Sequence, residues 1–186
     1  GGKVDEDQPF FFSKPPQAVT QIATIPFPTK TEDLHHEVEL VVFIKSECAN
    51  IDPSEASSHI FGYAVGVDLT KRDLQSAAKE ASKPWDLSKG FDNSAPISKI
   101  IKKEGFLFDE GRISLNVNGQ NRQSSNILNM IWKVDELISW LSKFITLKAG
   151  DIIFTGTPAG VGRLVPKDKI DAAIKNVGTL SFELTK

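Results

Sequence analysis

The chain has 186 residues, enough for one domain with its own hydrophobic core and short for two. Its 25% charged residues and net charge of −2 leave no electrostatic footprint for nucleic acid or an anionic membrane surface. A single cysteine, Cys48, excludes an internal disulfide framework and suits a reducing, cytoplasmic setting, and no apolar run approaches the roughly 20 residues needed to span a bilayer.

Phe10-Phe11-Phe12, ahead of Lys14-Pro15-Pro16, predicts a short buried strand running into an extended proline segment. Every residue from Val38 to Ile44 except Glu39 is apolar, the pattern of a strand covered on both faces. Pro53-Ser54-Glu55-Ala56 starts like a helix with proline in its first turn. His59 to Val67 predicts a second buried strand ending at Asp68, and Arg72 to Ala81 is a run of helix formers. Ser82 to Asn93 reads as a loop. Ile113 to Val117 alternates and meets Asn118-Gly119, a strong hairpin signal. Val134, Leu137, Ile138, Leu141 and Ile145 fall at helical spacing and predict an amphipathic helix within Ile127 to Ile145. Gly150-Asp151 turns into the strand Ile152-Ile153-Phe154, and two closing strands flank Asn176-Val177-Gly178. The sum is one β-rich α+β domain with two or three helices.

The most informative residues are Glu37 and Glu39. Residues i and i+2 of a strand point to one face, so these carboxylates stand roughly 6–7 Å apart on one side. An ordinary strand with a solvated polar face satisfies the same pattern. In a covered strand, however, two carboxylates are costly unless a cation compensates them, and a hard divalent metal takes oxygen ligands. Asp68, where the second buried strand meets a loop, would complete an oxygen-only site, or it simply opens a turn. The run Thr155-Gly156-Thr157-Pro158-Ala159-Gly160-Val161-Gly162 fits neither the dinucleotide fingerprint nor the Walker pattern, and Pro158 interrupts any helix start. A sharp turn offering hydroxyls and backbone amides to a carboxylate suits it better.

Glu37-Val38-Glu39, Gly62-Tyr63-Ala64-Val65-Gly66-Val67-Asp68, Arg72-Asp73-Leu74-Gln75, Lys89-Gly90-Phe91-Asp92 and the Thr155 to Gly162 run stand in one order and spacing. Together they resemble the fumarylacetoacetate hydrolase family over nearly the whole chain from about Pro9 onward. Pro9 to Pro15, His35 to Val42, Pro84-Trp85-Asp86 and Met130-Ile131-Trp132 are most similar to its fumarylpyruvate hydrolase and acylpyruvase branch.

The resemblance implies a single catalytic domain over residues 1–186, a mixed β-sandwich or roll with a few short helices. It implies Mg²⁺ or Mn²⁺, with Ca²⁺ a substitute in crystals, held by Glu37, Glu39 and Asp68. The implied activity is hydrolysis of a carbon–carbon bond in 2,4-dioxo acids, fumarylpyruvate to fumarate and pyruvate, in gentisate-type aromatic catabolism. Lys89 and Gln75 match residues beside the reacting carbonyls, and Thr157 matches a position that binds the substrate carboxylate. Arg72 is a substrate contact or an ion-pair partner for Asp73, the second being favoured. His35 and His36 flank the metal strand in supporting roles. The family's alternatives are an acylpyruvase with oxaloacetate decarboxylase activity and a double-bond isomerase; a metal-binding scaffold without activity is a further reading. A homodimer is implied, with the apolar stretch Trp132 to Phe144 as a contributor. The family's water-activating lid, an Asn-Tyr-x-x-His segment, belongs before Pro9, where this sequence has no such motif; the expectation is a mobile lid missing from the sequence.

Overall fold

The structure, a computed structural model, describes residues 8–186. Among these the strands build two principal sheets. One has the spatial order Ile152–Phe154, Val38–Ile44, Ile60–Val67, Ile101–Lys102 and is antiparallel throughout. The other runs Gln120–Asn126, Arg112–Val117, Lys169–Ile174, Gly178–Thr185, Thr24–Pro26, with only the last pair parallel. A three-stranded sheet (Gly162–Leu164, Leu34–His36, Thr70–Lys71) and the parallel pair Val19–Thr20 and Ala95–Pro96 complete the described strands. The helices Pro53–Ala56, Arg72–Glu80, Asp86–Lys89 and Val134–Ser142 are all short. This is a β-rich α+β fold, as its sequence predicts.

The alternation of the strand Val38–Ile44 decides where the chemistry sits. Val38, Leu40, Val42 and Ile44 join Val65, Val67, Leu115, Ile170 and Phe182 in the main core. Val41 and Phe43 point the other way, into a smaller cluster with Ala64 and Ile97. A period of two therefore assigns Glu39 to that second face. Across the ladder Glu39 pairs with Gly66, where a Cβ would lie 2.5 Å from Val41 Cγ2 and 2.6 Å from Phe154 Cε1. Only a residue without a side chain lets the strands close up beside the carboxylate.

Three local expectations need correction. Phe10, Phe11 and Phe12 form no strand, and Phe10 is 62% exposed; Phe10 and Phe12 pack on Trp85 instead, at ring distances of 5.5 and 5.9 Å. The loop from Ser82 to Asn93 contains the helix Asp86–Lys89. The helix expected within Ile127 to Ile145 shrinks to Val134–Ser142, after a single 3₁₀ turn over Ile127–Asn129. Polar side chains set these limits. The Asn126 side chain accepts from Leu128 N at 2.9 Å, turning the chain early, and Glu136 Oε2 accepts from Lys133 N at 2.7 Å, restarting it.

Candidate metal centre

Glu37 occupies the break between the strands Leu34–His36 and Val38–Ile44. Its carbonyl accepts from Asp68 N at 2.8 Å, so the end of the neighbouring strand is pinned beside it. Glu37, Glu39 and Asp68 are buried, and one carboxylate oxygen from each lies within 4.8 Å of the others. Three carboxylates so placed repel one another and lack water, so their stability depends on what answers their charge.

Three cations reach them. Lys89, only 2% exposed at the end of the helix Asp86–Lys89, places Nζ 2.9 Å from Glu37 Oε2, 2.6 Å from Asp68 Oδ2 and 2.7 Å from Thr70 Oγ1. Arg72, first residue of the helix Arg72–Glu80, pairs with Glu37 Oε1. Lys14 places Nζ 2.7 Å from Asp68 Oδ1 and donates to Ser94 O, Ser94 Oγ, Leu69 O and Lys89 O. Burial alone would raise Glu37, but Lys89 and Arg72 outweigh it and hold its carboxyl below the ordinary value. Burial likewise works to lower Lys89, and Asp68 with Glu37 overcomes it, so this ammonium is held above its ordinary value.

Glu39 differs. Its Oε2 accepts one backbone hydrogen bond, from Gly156 N at 2.7 Å, and no cation pairs with it among the described residues. Burial first, then the charges of Asp68 and Glu37, push its carboxyl well above the usual range. Asp68 Oδ1 is also buried; the Lys14 ammonium lies 2.7 Å away as an ion pair, and no hydrogen bond of good geometry reaches this oxygen. A hard, oxygen-seeking divalent cation fits this set: three close carboxylates, one of them without a paired cation and another with a buried oxygen that accepts no hydrogen bond.

The structure brings the other sequence-derived residues to the same place, with changes of partner. Gln75 is buried and accepts from Arg72 Nη1, leaving its Nε2 without a hydrogen bond among the described residues. Arg72 does not pair with Asp73, which instead accepts from Thr31 Oγ1 at 2.7 Å and Glu32 N at 2.9 Å. Thr157 Oγ1 donates to Val38 O at 2.8 Å and accepts from Gln123 Nε2 at 2.8 Å, so its hydroxyl is committed to the protein. His35 lies 3.0 Å from Asp33 Oδ1 and His36 Nδ1 lies 2.9 Å from Gln123 Oε1. Since Gln123 Oε1 also accepts from Val38 N, the His36 Nδ1 carries the proton. The Thr155 to Gly162 turn does offer an amide to a carboxylate, but the carboxylate is the protein's own Glu39. The expected lid before Pro9 lies outside the described residues.

Lys14, Thr70 and Gln123 were not singled out as site residues by their sequence contexts. Lys14 carried the one usable signal, a lysine wedged between three phenylalanines and two prolines. Gln123 lies in the all-polar strand Gln120–Asn126, whose composition gives no hint that this glutamine alone is 0% exposed.

The triad lies in the wall of a cavity of about 1220 Å³, lined also by Phe10, Phe12, Trp85, Met130 and Trp132. No helix among the described residues is long and apolar enough to cross a membrane.

Residues 2–185 match the family described as fumarylacetoacetate (FAA) hydrolase C-terminal, and the chain belongs to that family. It is 40% identical over 185 residues to a fumarylpyruvate hydrolase of Ralstonia sp, spanning 98% of this chain and 96% of that one. The crystal structure of fumarylpyruvate hydrolase from Pseudomonas aeruginosa in complex with Mn²⁺ and pyruvate is similar with a TM-score of 0.93 and 40% identity, covering 97% of this chain and 80% of that one. An oxaloacetate tautomerase of Escherichia coli (strain K12) is 40% identical over 172 residues, covering 91% and 78% of the two chains.

Proposed function

We propose that this protein is a divalent-metal-dependent hydrolase of 2,4-dioxo acids that converts fumarylpyruvate to fumarate and pyruvate. One observation carries the reading: the buried Glu37, Glu39 and Asp68 triad opens into a cavity large enough for a small acid. The likeness to fumarylpyruvate hydrolases along nearly the whole chain supports it.

Glu37, Glu39 and Asp68 would hold Mg²⁺ or Mn²⁺, which supplies Lewis acidity and a template for the carboxylate and 2-oxo group of the substrate. Water adds to the 4-oxo carbon, the bond between the third and fourth carbons breaks, and its electron pair stays with the three-carbon fragment. That fragment takes a proton and leaves as pyruvate; the other half leaves as fumarate. Lys89 stands at the triad with its full positive charge; its three N–H groups go to Glu37, Asp68 and Thr70, so it acts on the oxygen where negative charge develops through that charge. Arg72 fixes Gln75 by donating to its Oε1, which turns Nε2 toward the ligand as a donor. With its hydroxyl bound to Val38 O, Thr157 offers the carboxylate its backbone N–H, which has no partner among the described residues.

A second reading, oxaloacetate tautomerisation or decarboxylation, has a specific support: relatives of similar identity carry those names. Consumption of fumarylpyruvate, acetylpyruvate and oxaloacetate, each with Mn²⁺, with Mg²⁺ and with EDTA, separates them. Metal-dependent loss of the fumarylpyruvate enol absorbance, faster than that of acetylpyruvate, is the expected result. Conversion of oxaloacetate alone would replace the hydrolase by the second reading.

A further inference from the structure

Four cationic side chains line the cavity: Lys14, Arg72, Lys79 and Lys89. Three of them are spent on Glu37 and Asp68. Lys79 pairs with no carboxylate among the described residues. Its ammonium instead sits 4.7 Å from the centre of the Trp85 ring, and Phe10 packs edge-on against the same indole at 5.5 Å. A cation on an aromatic face keeps its charge available and its position restricted.

Its place on the helix Arg72–Glu80 gives this cation a direction. Arg72, Gln75 and Lys79 follow at i, i+3 and i+7, one stripe along one side, and all three line the cavity. The stripe begins at Glu37, where Arg72 pairs, passes through the buried Gln75 and ends at the exposed Lys79. At a rise of about 1.5 Å per residue its ends are about 10 Å apart along the axis. An extended chain advances about 1.2 Å per bond, so the two carboxylates of a seven-carbon 2-oxo diacid are about 7 Å apart. Adding a ligand bond of about 2 Å at the triad and a hydrogen bond of about 2.8 Å at an ammonium gives about 12 Å, within reach of a flexible lysine.

We propose that Lys79, steadied on Trp85, is the subsite for the distal carboxylate, so that the cavity selects 2-oxo acids bearing a second carboxylate at the far end. This rests on the reading of the triad as the anchor for the 2-oxo acid end. Fumarylpyruvate has such a group and acetylpyruvate lacks it.

Binding of two acids that cannot be cleaved tests the subsite apart from turnover. Both 2-oxoheptanedioate and 2-oxoheptanoate lack the 4-oxo group, have one chain length, and differ in the distal carboxylate. Calorimetric titration into the Mn²⁺-loaded protein should favour the diacid by about tenfold, the value of one charge-assisted hydrogen bond. Lys79→Ala should bring the ratio to about one, while Lys79→Arg keeps it. No preference in the wild type, an unchanged ratio in Lys79→Ala, or no binding of either acid would overturn the subsite. Preference for the diacid without turnover of fumarylpyruvate would sink the hydrolase reading and leave the subsite standing.

Discussion

Lys14 and Lys89 hold the two oxygens of a single carboxylate, Asp68: Lys14 Nζ lies 2.7 Å from Oδ1 and Lys89 Nζ lies 2.6 Å from Oδ2. The two lysines come from segments 75 residues apart, and they are joined directly, because Lys14 also donates to the carbonyl of Lys89. The irregular N-terminal segment is thereby fastened to the centre of the site. Burial lowers the Lys14 ammonium from its ordinary value, and the charge of Asp68 is the chief influence opposing that.

Asp68 is accordingly the residue whose loss should be felt most. Asp68→Asn keeps the shape and removes the charge that binds a cation and answers two lysines. We expect Mn²⁺ affinity to fall by at least about 100-fold, more than typical losses on altering a supporting residue. Titration followed by electron paramagnetic resonance of free Mn²⁺ reads this directly. Wild-type affinity in Asp68→Asn would remove it from the metal set.

Lys89 should separate metal binding from chemistry. Lys89→Met preserves length and apolar contact but takes away the ammonium between Glu37 and Asp68. Without metal, the acids are then answered only by Arg72 and Lys14, and breaking such a buried pair costs about 3–5 kcal/mol. Mn²⁺ should restore most of that stability, so the rise in melting temperature on adding Mn²⁺ should be larger in the variant. Turnover of fumarylpyruvate should fall about 10²–10³-fold, a loss of the size seen when one oxyanion-stabilising group is removed. A variant with wild-type turnover would exclude Lys89 from that role.

What could be read from the sequence divides along physical lines. Periodicities survived: the strands Val38–Ile44 and Ile60–Val67, the hairpin at Asn118-Gly119 and the helix Arg72–Glu80 are local patterns with local causes. The triad was legible for the same reason, since i and i+2 on a covered strand bring Glu37 and Glu39 to one side. Phe10 to Phe12 misled because a run of apolar residues does not say whether it lines a core or a cavity. Arg72 misled because a neighbouring acid in sequence, Asp73, was the simplest partner, while the fold supplied Glu37, 35 residues away at the break between two strands. Gln123 gave no signal at all. Its role is to satisfy His36, Val38, Thr157 and Pro158 at once, and such partners exist only after folding.

A second close approach of strands, four residues along from Gly66, is open to a direct check. A Cβ at Gly62 would stand 2.1 Å from Ile101 O and 3.2 Å from Lys102 Cα, both backbone atoms that no rotamer change can move. Gly62→Ala should therefore force the strand Ile101–Lys102 away and cost about 1–3 kcal/mol. Urea unfolding measures the loss, and hydrogen exchange should show earlier opening at Tyr63, whose ladder partner is Ile101. A midpoint equal to the wild type would mean that this edge strand yields freely.

Asp73 gives a dependence on pH with a fixed sign. Burial is the largest single influence and opposes its ionisation, but hydrogen bonds from Thr31 Oγ1, Glu32 N and Leu74 N together prevail and hold its carboxyl below the ordinary value. The folded state therefore binds this proton less readily than the unfolded state, where the value is about 3.9. The stabilisation is fully present above about pH 5 and is lost as pH falls through the unfolded value toward the lower folded one. Asp73 is also the second residue of the helix Arg72–Glu80, where a negative charge meets the positive end of the dipole, worth about 0.3–1 kcal/mol at an exposed position. Asp73→Asn should thus be less stable than the wild type by about that amount at pH 7. The difference should narrow below pH 5 and close once Asp73 itself is protonated, as read from parallel thermal melts across pH 7 to pH 3. A gap that stayed constant with pH would show that the lost stability is not the charge of Asp73, and that the hydrogen bonds to Thr31 and Glu32 act through shape alone.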